Sequence, residues 1–133
     1  MSARMSDYTI KNLKDLDDVA AGRAEGVEGR MARSALESEQ VGVSYFRYAP
    51  GVRAAIGHHH RVQEEAYVVI GGSGRVKLDD DIADVKQWDV IRVAPAVVRA
   101  FEAGSEGIEL IAVGGPRPEE GDGEMVPDWW PAD

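Results

Sequence analysis

The three histidines of the chain are consecutive, His58-His59-His60, and two glutamates follow at Glu64 and Glu65. Imidazole and carboxylate are ligands for divalent metals, and both can move protons near neutral pH. In an extended strand, alternate side chains share a face. His58 and His60 then point one way and His59 the other, toward solvent. Ala54 and Ile56 fall on the face of His58, which marks that face as interior. In the following run, Glu65, Tyr67 and Val69 share one side, and Glu64, Ala66, Val68 and Ile70 the other. With Glu65 turned inward, two imidazoles and one carboxylate converge. Two His and one carboxylate form a facial triad with open positions, an arrangement typical of iron(II) and also suited to zinc, manganese or nickel. The residue types alone leave a second reading open, a solvated loop of histidines with no ligand role.

These residues sit among short apolar runs separated by turn formers. The runs are Val41–Tyr48, Arg53–His60, Glu65–Ile70, Arg75–Leu78, Ile82–Lys86, Val90–Val93, Val97–Phe101 and Ile108–Val113. Between them lie Pro50-Gly51, Gly71-Gly72-Ser73-Gly74, Asp79-Asp80-Asp81, Ala94-Pro95 and Gly104. Closely spaced short strands predict an all-β sandwich or barrel. The glycine run lacks the Lys-Ser/Thr of a phosphate loop and reads as a β-turn. The three aspartates lack the spacing of a calcium loop and read as a hairpin turn. Residues 1–38 form an N-terminal arm with short helices expected at Leu13–Ala20 and Glu28–Ala35. Residues 39–115 form the barrel. Residues 116–133 form a tail whose Trp129 and Trp130 are expected to pack on the barrel or on a partner subunit.

The chain has 133 residues, 44% of them hydrophobic and 29% charged, which fits one globular domain. It contains no cysteine, so disulfides, thiolate metal sites and cysteine nucleophiles are excluded. Fifteen basic against 24 acidic residues give a net charge of −9, which argues against nucleic acid or an anionic membrane as partner. No apolar run has the ~20 residues of a membrane helix. The start of the chain lacks the apolar stretch of a secretory signal, so a cytoplasmic location is expected.

The motif spacing resembles the cupin superfamily, and compact single-domain microbial cupins in particular. Gly51, six residues, His58-His59-His60, four residues, Glu65, six residues and Gly72 follow that family's first motif, with an opening spacer one residue longer than usual. The match selects Glu65 over Glu64 as the carboxylate. Fifteen residues separate Gly72 from the segment Trp88–Ala103, which occupies the place of the second motif. There the residues depart from the pattern. Trp88 stands for Gly, Ala94 for Pro, Ala96 for Gly, Arg99 for His and Ala103 for Asn. The resemblance covers about residues 41–113. It implies a double-stranded β-helix, the jelly-roll cupin barrel, here with a short helical N-terminal arm. It also implies a divalent metal at His58, His60 and Glu65, and a small-molecule ligand in the barrel.

Arg99 takes the place of the family's fourth ligand. Its guanidinium stays protonated and does not ligate metals. Val97, Arg99 and Phe101 share a face, so Arg99 is expected inside the barrel. There it holds a ligand's carboxylate or phosphate, or it pairs with Glu65 in a metal-free pocket; the remaining alternative is an outward, merely structural position. Tyr67 and Phe101 are further candidates to line the pocket. The resemblance supports an oxygenase- or isomerase-like metal enzyme and equally a non-catalytic module that senses a small ligand. Exposed edge strands and the Trp-bearing tail make a homodimer the expected assembly.

Overall fold

The computed structural model describes residues 7–132. After a single 3-10 turn at Leu13–Asp15, the order is β1 (Val27–Met31), α1 (Arg33–Leu36), β2 (Gly42–Tyr48), β3 (Gly57–His60), β4 (Glu65–Leu78), β5 (Asp81–Lys86), β6 (Val90–Val93), β7 (Arg99–Gly114) and β8 (Gly123–Val126). All strand pairs are antiparallel.

Two long strands, β4 and β7, tie the barrel together. Their paired halves build two walls. In one wall, the end of β7 lies between β2 and the start of β4, with β1 and β6 outside. In the other, the start of β7 lies between β3 and the end of β4, with β8 and β5 outside. The sheet turns the corner at glycines. The β4–β7 register shifts between Val69 and Gly71 and again between Gly72 and Gly74. Gly72 (φ 70°) and Gly107 (φ 80°) lie in the left-handed region. A Cβ on Gly72 would collide with the Gly107 carbonyl, and one on Gly74 with the Glu102 carbonyl. The bulges also switch which residues face inward. Tyr67 and Val69 fill the core before the corner and Val76 after it; on β7 the inward set changes from Phe101 and Ala103 to Ile108, Leu110 and Ala112. The glycine run expected to be a β-turn is therefore a bulged corner inside one continuous strand. Asp79-Asp80 does make the expected hairpin, with Asp79 at φ 50°.

The N-terminal arm is less helical than its composition suggests. Residues 33–36 are helical, but Val27–Met31 pair with β2 as an edge strand. The tail packs on the barrel. Residues Gly123–Val126 extend the sheet beside β3, and Trp130 donates its indole N–H to the Ala54 carbonyl at 2.8 Å. Trp129 lies under the Lys77 ammonium, 3.5 Å from its ring centre. Gly57 makes room for it, since a Cβ there would stand 2.7 Å from Trp129 Cγ.

Candidate metal centre

Strand β3 carries His58 and His60, and Glu65 opens β4. The three side chains meet. His60 Nε2 is 3.1 Å and His58 Nε2 3.7 Å from Glu65 Oε1, and the ligand atoms of the three all lie within 4.8 Å of one another. His60 and Glu65 are largely enclosed, with 12% and 13% of their side chains exposed; His58 is 35% exposed and gives the group its open side. The sequence argument for the interior face is corrected in one respect. Residues before Gly57 do not continue the strand, and Ile56 is 53% exposed. Pairing with β7 and β8, rather than alternation from Ile56, turns His58 inward. His59, expected in solvent, is half-buried and opposite Glu124.

Arg99 is directly opposite His58 in the β3–β7 register and is completely buried. Its guanidinium is fully engaged. Nη2 donates to Glu65 Oε1 at 2.9 Å, Nη1 to the carbonyls of Val97 at 2.7 Å and Pro95 at 3.3 Å, and Nε to the Tyr67 hydroxyl at 3.3 Å. An outward Arg99 is thus corrected, because the barrel supplies the partners that a buried cation requires. Tyr67 in turn donates to Glu65 Oε1 at 2.8 Å. Its ring packs 5.1 Å from that of Phe101, which is buried beneath it. Burial alone would raise the Glu65 pKa. The nearby His58 imidazole and the hydrogen bonds from His60 and Tyr67 outweigh burial and hold the carboxyl far below the usual range. Burial, together with the negative charge of Glu65, pushes the Tyr67 hydroxyl well above its ordinary value.

Asp122 completes the site and was not found by sequence reasoning. Its Oδ1 lies 2.8 Å from His60 Nδ1, and its Oδ2 accepts from the backbone N–H groups of Val62 and Gln63, both at 2.8 Å. Its side chain has no exposure. These N–H groups and His60 overcome the effect of burial and lower the Asp122 pKa to about 2. In the sequence, Asp122 is one acid in an acidic, Gly-rich tail, and its type and spacing do not set it apart from Glu119, Glu120 or Glu124. His60 lies between two carboxylates. The hydrogen bond to Glu65 raises its pKa most; burial opposes the shift, and Asp122 adds to it.

The residues fit a divalent cation. Bond lengths of about 2.0–2.2 Å to nitrogen and oxygen require ligand atoms about 3.0–3.5 Å apart, close to the 3.1 and 3.7 Å found here. Asp122 holds His60 through Nδ1, so a metal that displaced the Nε2 contact to Glu65 would find the ring already oriented, the usual outer-shell arrangement of a metal-binding histidine. A cleft of about 480 Å³ opens elsewhere, lined by Ser73, Arg75, Asp84, Lys86, Asp89 and Glu102 among others; none of the candidate site residues borders it.

Neither a family model nor a curated protein matches the sequence. Solved structures do match the fold. A cupin protein from Bacteroides fragilis aligns with a TM-score of 0.70 at 19% identity, over 86% of this chain and 89% of that one. A variant of Streptomyces PAC13 with uridine aligns at 0.69 and 15% identity, over 93% and 92%. A variant of oxalate decarboxylase from Bacillus subtilis aligns at 0.68 and 24% identity, over 86% of this chain but 32% of its own length. Among the described residues, no helix is long and apolar enough to cross a membrane. By its likeness to these solved structures, this chain is a small domain with the cupin fold.

Proposed function

We propose that the domain binds one divalent metal through His58, His60 and Glu65 and a small organic ligand beside it. The observation that carries this reading is the enclosed convergence of three ligand atoms with His60 oriented by Asp122. The metal is one of iron, manganese, nickel or zinc. A bound metal would polarise a ligand oxygen and hold it at the open positions. The chain's own groups do the rest. Arg99 and Tyr67 fix the Glu65 carboxylate, Asp122 fixes the His60 ring, and Phe101 supports Tyr67 from below. An oxygenase- or isomerase-like activity belongs to this reading.

One observation favours a second reading. Arg99 already supplies Glu65 with a cation at 2.9 Å, which suits a metal-free ligand-binding module. Metal analysis of protein purified without a His tag separates the two. Near-stoichiometric metal that is lost in His58→Ala and Glu65→Ala supports the metal centre. Wild-type protein that stays metal-free after incubation with iron, manganese, nickel and zinc rejects it.

A further inference from the structure

The strand that carries both imidazoles has little hold on the barrel of its own. β3 meets β7 in register at one position, His58 opposite Arg99. All four of its residues are paired with β8, from Gly57 opposite Val126 to His60 opposite Gly123. Most of the ladder pairing of β3 thus comes from the tail. Met125 is directly opposite His58, so its side chain falls on the same face. It is 75% exposed, and His58 is the most exposed of the three candidate ligands. The open side of the site is therefore bordered by the tail strand.

β8 buries little itself. Gly123, Glu124 and Met125 are exposed, and so are Pro127 and Asp128 beyond it. Apolar burial along the strand cannot anchor it, so the anchors lie at its two ends. At the near end, Asp122 binds His60 and the N–H groups of Val62 and Gln63, and its own carbonyl accepts from the Arg61 N–H at 3.2 Å. At the far end, Trp130 lies on the outside of the wall. Glu102 points outward between the buried Phe101 and Ala103, and it pairs with Arg53 and Arg75, each at 2.6 Å. The Trp130 ring is 4.7 Å from the Arg53 guanidinium and 5.7 Å from that of Arg75. Its N–H bond to the Ala54 carbonyl reaches the segment leading into β3. Gly121 (φ 86°) and Asp128 (φ 53°) turn the chain sharply before and after this stretch. The segment is a band fastened at both ends, with the histidine strand beneath it.

We propose that residues 121–130 are a strap whose docking is coupled to occupancy of the metal centre, with Trp130 a positioning residue that holds His58 and His60 through β8. The coupling rests on the metal-centre reading; the hold of the tail on β3 does not. A metal that needs both imidazoles in place binds the docked state, and by linkage it must tighten the strap by the factor that the strap tightens the metal. Hydrogen exchange read by mass spectrometry on the full chain, with chelator and then with zinc, tests both parts beside zinc affinities from competition with a chromogenic chelator. In metal-free protein, Trp130→Ala should speed exchange of segments 57–60 and 122–126 on the order of ten-fold, from the loss of one hydrogen bond and two cation–π contacts. Exchange in β2, which does not touch the tail, should stay unchanged and reports the intact fold. Zinc should bind Trp130→Ala more weakly by a similar factor, and zinc should slow exchange of 122–126 in the wild type. Trp130→Phe keeps a ring between the two guanidinium groups and loses only the N–H donor, so it should fall between. Unchanged exchange of 57–60 in Trp130→Ala, faster exchange shared equally by β2, or faster exchange with unchanged zinc affinity overturns the proposal. Wild-type protein that takes up no zinc removes the metal centre and the coupling with it, while the metal-free exchange still reads whether Trp130 holds β3.

Discussion

Arg99→Met removes the cation beside Glu65 while keeping an unbranched apolar stem. The wild-type guanidinium is completely buried, and it bonds Glu65 at 2.9 Å, Tyr67 at 3.3 Å and the Val97 and Pro95 carbonyls at 2.7 and 3.3 Å. Breaking a buried pair from one side costs about 3–5 kcal/mol, since the remaining charge stays buried without its partner. The Tyr67 hydroxyl and the His60 ring still reach Glu65, which favours the lower half of that range. At about 2.1 cal/mol/K of unfolding entropy per residue, this chain should melt roughly 11–14 °C lower. Urea denaturation with chelator present measures the loss directly. Arg99→Met combined with Glu65→Gln then tests the cause. If the pair is responsible, the double variant should recover about 2 kcal/mol or more relative to the sum of the single changes. Metal affinity of Arg99→Met should rise, because a fixed positive charge next to the ligand carboxylate is gone. A single-variant loss under about 1 kcal/mol, or additive single changes, would refute the assignment of Arg99 as the counter-charge of Glu65.

Asp122→Asn should lower metal affinity about 10–100-fold. Its amide oxygen can satisfy the Val62 and Gln63 N–H groups only by turning its NH₂ toward His60, which moves the imidazole proton to Nε2; calorimetry with zinc checks this. The raised pKa of His60 makes its stabilising contribution complete below its unfolded value of 6.5 and lost as pH rises through the folded value. Metal-free protein should therefore lose stability to urea as pH rises above 6.5, and His60→Gln should flatten that slope. On the acid side, the contribution of Asp122 is present above its unfolded pKa of 3.8 and is lost as pH falls through about 2. Trp88 holds φ 76° with 70% of its surface exposed, so Trp88→Gly should raise stability by up to about 1 kcal/mol in thermal melts. Gly72→Ala drives a Cβ into the Gly107 carbonyl at a left-handed φ of 70° and should cost about 3 kcal/mol or more, read as a lower urea midpoint.

What the sequence made legible was local. Period-two alternation in Glu65–Ile70 placed Glu65, Tyr67 and Val69 on one face, and motif spacing chose Glu65 over Glu64. The positive φ at position 88 accounts for the glycine of the cupin motif there, and nothing in the structure explains Trp88 in its place. Alternation failed where the backbone is irregular. Ile56 precedes a strand that begins only at Gly57, and the bulges at Gly71–Gly74 reverse the inward phase within one strand. Val27–Met31 carried charged and Gly-rich helix-like composition, but pairing with β2 overrode it. Asp122 lay beyond reach for another reason. It enters the site from a segment outside the motif, and only tertiary packing distinguishes it from its acidic neighbours.

The passage of β4 and β7 through both walls also has a consequence for the order in which the domain comes into being. During synthesis His58, His60 and Glu65 leave the ribosome early, yet neither wall can close until β7 is available to lie between its partners. Non-local pairing of this kind is slow because the intervening chain must be ordered before any contact repays it. Asp122, which fixes the His60 ring, emerges later still. The nascent chain therefore presents an exposed run of histidines before it has a pocket, and the three side chains are held together only when the last strand docks.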